Sequence, residues 1–334
     1  MKPEFTAPVW SSESVAPPGI MHLRRFLEKT RLDRAGLLDP GLRAREFDLD
    51  VRLLDALGLS LEATLSFLYQ ELPGPAEFVA YARAHGATVT GERIRRFNES
   101  LRGRGRPDES RPAAVLGPED FEHWRQEGYL VIRGAISSEQ CANARQAILD
   151  FTCADATRPE SWYRTQSYPQ GIMIPLYDHP AQESIRNAPR VRGAYADLWR
   201  TDDLTTSTDR AGFLPPDCAS WTFQGPPLHW DLDLNAPIDF GVQGLVYLND
   251  VPADGGAFHC VPGFHQRLQH WLEEVPPEFD PATFARRTLE STPVPGSAGD
   301  LVIWHHALPH GPSRNLGDRP RFVQYVKCYP NFAC

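Results

Sequence analysis

His229 and Asp231, in the run Pro227-Leu-His-Trp-Asp-Leu-Asp, and His310, in Leu308-Pro-His-Gly-Pro-Ser-Arg-Asn, carry the side chains of a metal site. Two imidazoles and one carboxylate form the facial ligand set that holds non-heme Fe(II) and leaves coordination positions open for oxygen and a cosubstrate. In an extended strand residues i and i+2 share a face, so His229 and Asp231 can address one ion while Trp230 points away. The third ligand must come from elsewhere in the fold. His310 lies 79 positions beyond Asp231, after the strand-like run Asp300-Leu-Val-Ile-Trp304. The His-x-Asp pair alone reads first as a solvated histidine beside an acid, so its surroundings have to decide.

Eleven residues past His310 stands Arg321, in Asn315-Leu-Gly-Asp-Arg-Pro-Arg-Phe-Val-Gln-Tyr-Val. Asn315 to Asp318 reads as a turn and Arg321 to Tyr329 as a returning strand, a hairpin that brings an arginine back beside the metal. A planar guanidinium suits the far carboxylate of a dicarboxylate, which it can grip in a bidentate fork. Taken alone, Arg321 reads first as a surface arginine after a turn. His305 and His306 are rival ligands, but the post-strand position and the following Gly311 and Asn315 favour His310.

The elements that must position these groups divide near residue 112. Between residues 20 and 101, apolar positions three and four apart predict short helices over Met21 to Lys29, Asp48 to Leu57, Leu61 to Leu72 and Ala76 to His85. Leu101-Arg-Gly-Arg-Gly-Arg-Pro-Asp-Glu-Ser-Arg-Pro-Ala then reads as a linker. From Gly117 onward Pro118 to Glu127 suits a helix and Tyr129 to Arg133 a strand. Ser137 with Gln140 forms a capping-box start for a helix that runs to about Phe151. Beyond Glu160, short β-branched and aromatic runs alternate with Pro/Gly turns, the pattern of an all-β barrel or sandwich. The stretch from Leu268 to Pro295, helix-like over Phe279 to Leu289, is expected to decorate that core.

From about Leu116 to Tyr329 the chain resembles the phytanoyl-CoA dioxygenase family of Fe(II)/2-oxoglutarate oxygenases. The ordered motifs are Asp120-Phe-Glu-His-Trp-Arg-Gln-Glu-Gly-Tyr-Leu-Val-Ile-Arg, His229 with Asp231, Leu245-Val-Tyr-Leu-Asn-Asp, Gly255-Gly-Ala-Phe, Val261-Pro-Gly-Phe-His, Gly299-Asp-Leu-Val-Ile-Trp, and His310 with Arg321. The resemblance implies a mainly β double-stranded β-helix, or jelly roll, with flanking helices over residues 113–334, and a helical region with linker over 1–112. It implies that His229, Asp231 and His310 bind Fe(II) and that Arg321 binds the C5 carboxylate of 2-oxoglutarate; the family's His-to-Arg interval fits Arg321 and sets Arg319 aside. It further implies oxidative decarboxylation of 2-oxoglutarate to succinate and CO2, coupled to attack on a positioned C–H bond. Tyr247 stands near a family position that touches 2-oxoglutarate, although core packing suits it equally. Gln243, on the same strand face, ranks below it. Thr222 and Gln224, just before the metal motif, are cosubstrate contacts or strand-edge polar groups. Where the family often has Pro-Gly-Ser-His, this chain has Pro262-Gly-Phe264-His265, which puts local substrate contacts in question. Related halogenases replace the acidic ligand with a small residue to admit halide, so Asp231 favours hydroxylation.

For the substrate, Trp162, Arg164, Trp230, Asp233 and Trp304 are pocket candidates, and a small polar metabolite or biosynthetic intermediate is the expectation. No cue for a CoA handle is present. A catalytically silent metal-binding scaffold acting through the N-terminal helices is the competing class; a zinc hydrolase lacks a His-Glu-x-x-His helix. The N-terminal region is expected to pack, to dimerise or to dock a carrier protein, with packing the default.

Composition fits a small-molecule enzyme. The chain has 334 residues, enough for a domain of about 200 residues and a smaller one. A net charge of -9 argues against a nucleic-acid binder. Six scattered cysteines without Cys-x-x-Cys spacing suggest reduced thiols and a cytoplasmic location. No apolar signal region opens the sequence and no membrane-length apolar run occurs in it, so neither secretion nor a membrane partner is expected.

Overall fold

The structure is a computed structural model that describes residues 11–16, 19–85, 91–102, 114–165, 172–177, 179–225, 228–234 and 237–330. The chain forms two compact units. One holds the described residues within Met1–Glu109 together with Asp203–Thr208 and Pro330, and the other those within Ser110–Asp202 and Asp209–Tyr329. Most of the linker expected after Leu101 lies outside the described residues.

The first unit contains α1 (Leu23–Arg34), α2 (Pro40–Ala56), α3 (Leu61–Glu71), α4 (Pro75–His85) and α5 (Gly91–Leu101). Leu23, Phe26, Leu27 and Thr30 repeat at three- and four-residue steps along α1 and are all buried, as one face of a helix requires. Leu23, Phe26 and Leu27 meet Leu53, Leu54, Phe78 and Phe97 in a single core. Two differences from the sequence reading have local causes. α2 starts at Pro40, eight residues before the apolar repeat, because the Asp39 side chain caps it by accepting from the Leu42 N–H at 2.7 Å. α5, which the sequence reading passed over, has two buried anchors only, Ile94 and Phe97. Asp203–Thr208, which includes β3 (Leu204–Thr206), joins these helices through the Thr208 N–H, which donates to buried Asp55 at 2.8 Å.

The second unit carries, in order, α6 (Pro118–Glu127), β1 (Tyr129–Ile132), α7 (Ser138–Thr152), β2 (Met173–Ile174), α8 (Pro180–Arg186), α9 (Pro189–Trp199), β4 (Ala211–Leu214), β5 (Val242–Tyr247), β6 (Phe258–Cys260), α10 (Leu268–Glu274), α11 (Pro281–Thr288), β7 (Thr292–Val294), β8 (Leu301–His305), β9 (His310–Pro312), β10 (Arg321–Tyr325) and β11 (Cys328–Pro330). Ser137 and Gln140 close the expected capping box on α7, with bonds of 3.2 and 3.0 Å. Six strands form an antiparallel sheet in the order β1-β8-β5-β10-β4-β2, and three form a second in the order β7-β6-β9. Leu245, Val302, Trp304 and Val323 from the first sheet and Phe258, Cys260 and Val294 from the second share one core. Each large apolar side chain buried in such a core is worth ~1.5–3 kcal/mol.

Helix is a larger part of the chain than a mainly β reading allowed. α8 and α9 lie in the stretch expected to be strands and turns. Pro180 and Pro189 sit at their first positions, where a missing N–H costs nothing. A second correction concerns the return to Arg321. β9 pairs with β6 and β10 with β4 and β5, so the segment between His310 and Arg321 crosses from one sheet to the other and is not a hairpin. Asn315, fully buried, clamps the crossing: its Nδ2 donates to Leu214 O at 3.1 Å and Arg319 O at 2.8 Å, while its Oδ1 accepts from Gly317 N at 3.1 Å. Among the described residues no helix is long and apolar enough to cross a membrane, and Cys141, Cys153, Cys218, Cys260 and Cys328 are free thiols.

Candidate active site

One antiparallel bridge assembles the histidines. His229 N donates to His310 O and His310 N to His229 O, both at 2.9 Å. This doubly bonded pairing sets the two residues directly opposite each other, and their rings lie 4.9 Å apart. The extended stretch is only this bridge, since a bend begins at Asp231. Two residues on from His229, Asp231 still turns its carboxylate between the rings, with Oδ1 3.5 Å from His229 Nε2 and Oδ2 3.5 Å from His310 Nε2. Ligand-type atoms of the three residues all lie within 4.8 Å of one another, close enough to hold one ion. Trp230 points the other way, donating to Ala307 O at 2.9 Å and packing on Phe264 and Trp271.

The imidazoles are oriented for this task. His310 Nδ1 lies 2.9 Å from Leu308 O, which can only accept, so Nδ1 carries a hydrogen and Nε2 is the ring nitrogen turned toward Asp231. The ring is 5.1 Å from Trp304 and 6.0 Å from Phe258, which limits its rotation. Burial works to raise the Asp231 pKa, yet the imidazoles on either side outweigh it and hold the carboxyl well below the usual range. His305 and His306 are occupied elsewhere. His305 Nδ1 accepts from Ala307 N at 3.0 Å, and burial with His306 and His265 nearby pushes its pKa down to about 3; His306 Nε2 donates to Asp239 O at 2.5 Å.

Around the three residues opens a cavity of about 810 Å3, lined in part by Arg321, Tyr325, Gln243, Trp304, Thr222 and Gln224. Arg321, only 1 % exposed, enters from the first residue of β10. Its Nη1 donates to Gly256 O at 2.9 Å and the Tyr325 hydroxyl lies close to the guanidinium, whereas Nε and Nη2 are buried with no acceptor in full hydrogen-bonding geometry. Gly256 has φ +80°, and a Cβ there would stand 2.6 Å from Leu214 Cδ2, so the carbonyl that anchors the guanidinium depends on glycine. Burial raises the Tyr325 pKa and the neighbouring Arg321 opposes it. Arg319 is exposed at the turn. A buried guanidinium with idle donors facing a cavity fits an oxygen-rich anion.

Other expected residues divide. Thr222 and Gln224 line the cavity, where Gln224 Nε2 donates to Thr222 Oγ1 at 2.6 Å. Tyr247 does not. Its hydroxyl donates to Val294 O at 2.8 Å and accepts from Phe258 N at 2.9 Å, so it ties the two sheets together inside the core. Burial lifts its pKa to about 12. The ranking of Tyr247 above Gln243 is thus reversed, because Gln243 Nε2 donates to Asp231 Oδ2 at 2.8 Å. Of the substrate candidates, Trp304 lines the cavity, Trp162 donates to Asp155 O at 2.8 Å away from it, and the Arg164 side chain lies outside the described residues. Phe264, the departure from Pro-Gly-Ser-His, is fully buried against Trp271 and does not line the cavity. The strand alternation that put Gln243 on this face was a usable signal; nothing local marked Ile172, Met173, Trp221 or Lys327, which also line it.

The family model for phytanoyl-CoA dioxygenase matches residues 124–323, which is 200 of the 334 residues. By class the chain is therefore an enzyme of the non-heme iron, 2-oxoglutarate-dependent kind. It belongs to the phytanoyl-CoA dioxygenase family. A Dictyostelium discoideum protein named for phytanoyl-CoA dioxygenase is 23% identical over 261 residues, covering 63% of this chain and 74% of that protein. Among solved structures, the non-heme alpha ketoglutarate dependent epimerase SnoN from nogalamycin biosynthesis is 18% identical with a TM-score of 0.46, covering 64% of this chain and 80% of its own. HygX from Streptomyces hygroscopicus, solved with nickel and 2-oxoglutarate bound, is 18% identical with a TM-score of 0.46 and covers 65% of this chain and 88% of its own.

Proposed function

We propose that the chain is an Fe(II)/2-oxoglutarate-dependent dioxygenase that hydroxylates a small-molecule metabolite or biosynthetic intermediate. Its catalytic domain is residues 113–334, with a double-stranded β-helix core, and residues 1–112 form an accessory helical region. One observation carries the reading: His229, Asp231 and His310 share a cavity with a buried arginine whose Nε and Nη2 have no acceptor. A silent scaffold gives no reason to bury an unsatisfied cation there, since each unmet buried donor costs ~1–3 kcal/mol.

In this function His229, Asp231 and His310 hold Fe(II), and Arg321 takes the C5 carboxylate of 2-oxoglutarate on Nε and Nη2. Iron held there would supply oxygen activation, with one oxygen atom passing to succinate as CO2 leaves and the other to the substrate as hydroxyl. The protein supplies position and dryness. Trp304 and Phe258 hold His310, Gly256 holds Arg321, and Trp221, Met173 and Ile172 give the cavity an apolar wall. Lys327 and Asp209, also in the lining, are charged groups suited to orienting a polar substrate.

The test is anaerobic addition of Fe(II) and 2-oxoglutarate to the full chain. A metal-to-ligand charge-transfer absorption is expected, followed by succinate when oxygen is admitted. No absorption and no succinate would refute the assignment; a shift of the band with one class in a metabolite library would identify the substrate class.

A further inference from the structure

We infer that Gln243 is a positioning residue that reserves one oxygen of Asp231, so that the carboxylate binds the metal through Oδ1 alone. This rests on the proposed metal site. Gln243 and Trp304 are directly opposite each other in the β5/β8 ladder, so their side chains leave the sheet on the same face. The Trp304 indole, 4 % exposed, donates from Nε1 to Gln243 Oε1 at 3.1 Å. An indole N–H can only donate, which fixes the amide: Oε1 faces Trp304 and Nε2 faces outward. That Nε2 donates to Asp231 Oδ2 at 2.8 Å. The relay Trp304, Gln243, Asp231 thereby joins the sheet interior to the acidic ligand.

The consequence lies in how many positions the protein takes. Two imidazoles and one carboxylate oxygen occupy three positions of an octahedral ion and leave three, the number a chelating 2-oxo acid and oxygen need together. A carboxylate binding through both oxygens would take one of them. With Oδ2 engaged by Gln243, Oδ1, which lies 3.5 Å from His229 Nε2, is the oxygen left for the ion. The hydrogen bond also removes a rotational freedom of Asp231, whose side chain is otherwise 52% exposed to the cavity. Partners of this kind are worth ~10–100-fold in metal affinity.

The experiment compares the full chain with Gln243→Leu and Trp304→Phe, using Mn(II) as the probe. Binding is followed by calorimetry, first of the metal and then of 2-oxoglutarate to the metal-loaded protein. Gln243→Leu is expected to weaken Mn(II) by ~10–100-fold and to weaken 2-oxoglutarate further on protein saturated with Mn(II), with circular dichroism unchanged. Trp304→Phe, which keeps the ring but loses the N–H, should produce the same pattern to a smaller degree. Should Gln243→Leu fail to fold, Gln243→Glu serves: a second carboxylate facing Asp231 reverses the contact, and weaker 2-oxoglutarate binding is expected. Folded variants that bind Mn(II) and 2-oxoglutarate as the parent does would overturn the inference. A parent chain that binds no Mn(II) would instead overturn the metal site on which it rests.

Discussion

Replacing Arg321 with methionine should make the protein more stable and blind to 2-oxoglutarate at once. Methionine is unbranched and apolar, so it can follow the path of the arginine stem in a site that is 1 % exposed. The change removes two buried nitrogens, Nε and Nη2, that have no acceptor, each at a cost of ~1–3 kcal/mol. It also removes the 2.9 Å bond from Nη1 to Gly256 O, a charged hydrogen bond worth ~1.5–3 kcal/mol. The balance favours the variant by roughly 1–3 kcal/mol, within the range seen when buried charges are replaced by apolar groups. At ~2–4 °C per kcal/mol for a unit of this size, its melting temperature should rise by a few degrees. The parent, loaded with redox-silent Mn(II) and 2-oxoglutarate at 100 times its dissociation constant, should gain ~2.7 kcal/mol, and Arg321→Met should gain nothing. Differential scanning fluorimetry with and without 2-oxoglutarate measures both numbers. A variant that melts below the parent and still responds to 2-oxoglutarate would refute the view that the guanidinium is held in reserve for an anion.

His229→Ala and Asp231→Ala should each abolish Mn(II) binding and oxygen-dependent formation of succinate from 2-oxoglutarate, read by calorimetry and by chromatography of the product. Tyr247→Phe deletes the hydroxyl that serves Val294 O and Phe258 N; it should cost ~1–3 kcal/mol in chemical denaturation and leave 2-oxoglutarate affinity unchanged, whereas a direct cosubstrate contact would weaken that affinity. In the helical unit, Glu46 accepts from Arg25 at 2.6 Å and pairs with Lys29 at 2.7 Å. Burial pushes its pKa up but the two cations prevail, leaving it at about 2 against an ordinary 4.5. A depressed carboxyl contributes stability above its unfolded pKa and loses it as pH falls toward the folded value. Glu46→Gln should therefore destabilise the unit by ~1–2 kcal/mol at pH 7 after allowance for solvent screening, and the gap in melting temperature should close between about pH 4.5 and pH 2.

The residues with distinctive chemistry were legible because type and spacing suffice for them. His229, Asp231 and His310 were marked by residue type together with the ordered motifs around them, and the structure brings the three side chains together. Sequence could not tell which sheet a strand joins. The turn at Asn315 looks the same whether it closes a hairpin or crosses between sheets, and the difference lies in partners more than fifty residues away, Leu214 and Cys260. Depth was hidden too. Gln243 and Tyr247 share a strand face, but one meets the cavity and the other the core, because Val294 and Phe258 cover the second. α8 and α9 were masked by their own prolines, which mark a helix start as readily as a turn.

The crossing at Asn315 also makes the protein a measuring device. His310 opens β9 on the three-stranded sheet and Arg321 opens β10 on the six-stranded one, so the span between the His310 imidazole and the guanidinium is set by how far apart packed sheets stand, ~10 Å, and not by any loop. Side chains at that seam, Phe258 against Trp304 with rings 4.3 Å apart, act as spacers. Under the proposed function, widening or narrowing the seam would alter which chain length of 2-oxo diacid reaches both ends, and the choice of cosubstrate would be written into the thickness of the hydrophobic core.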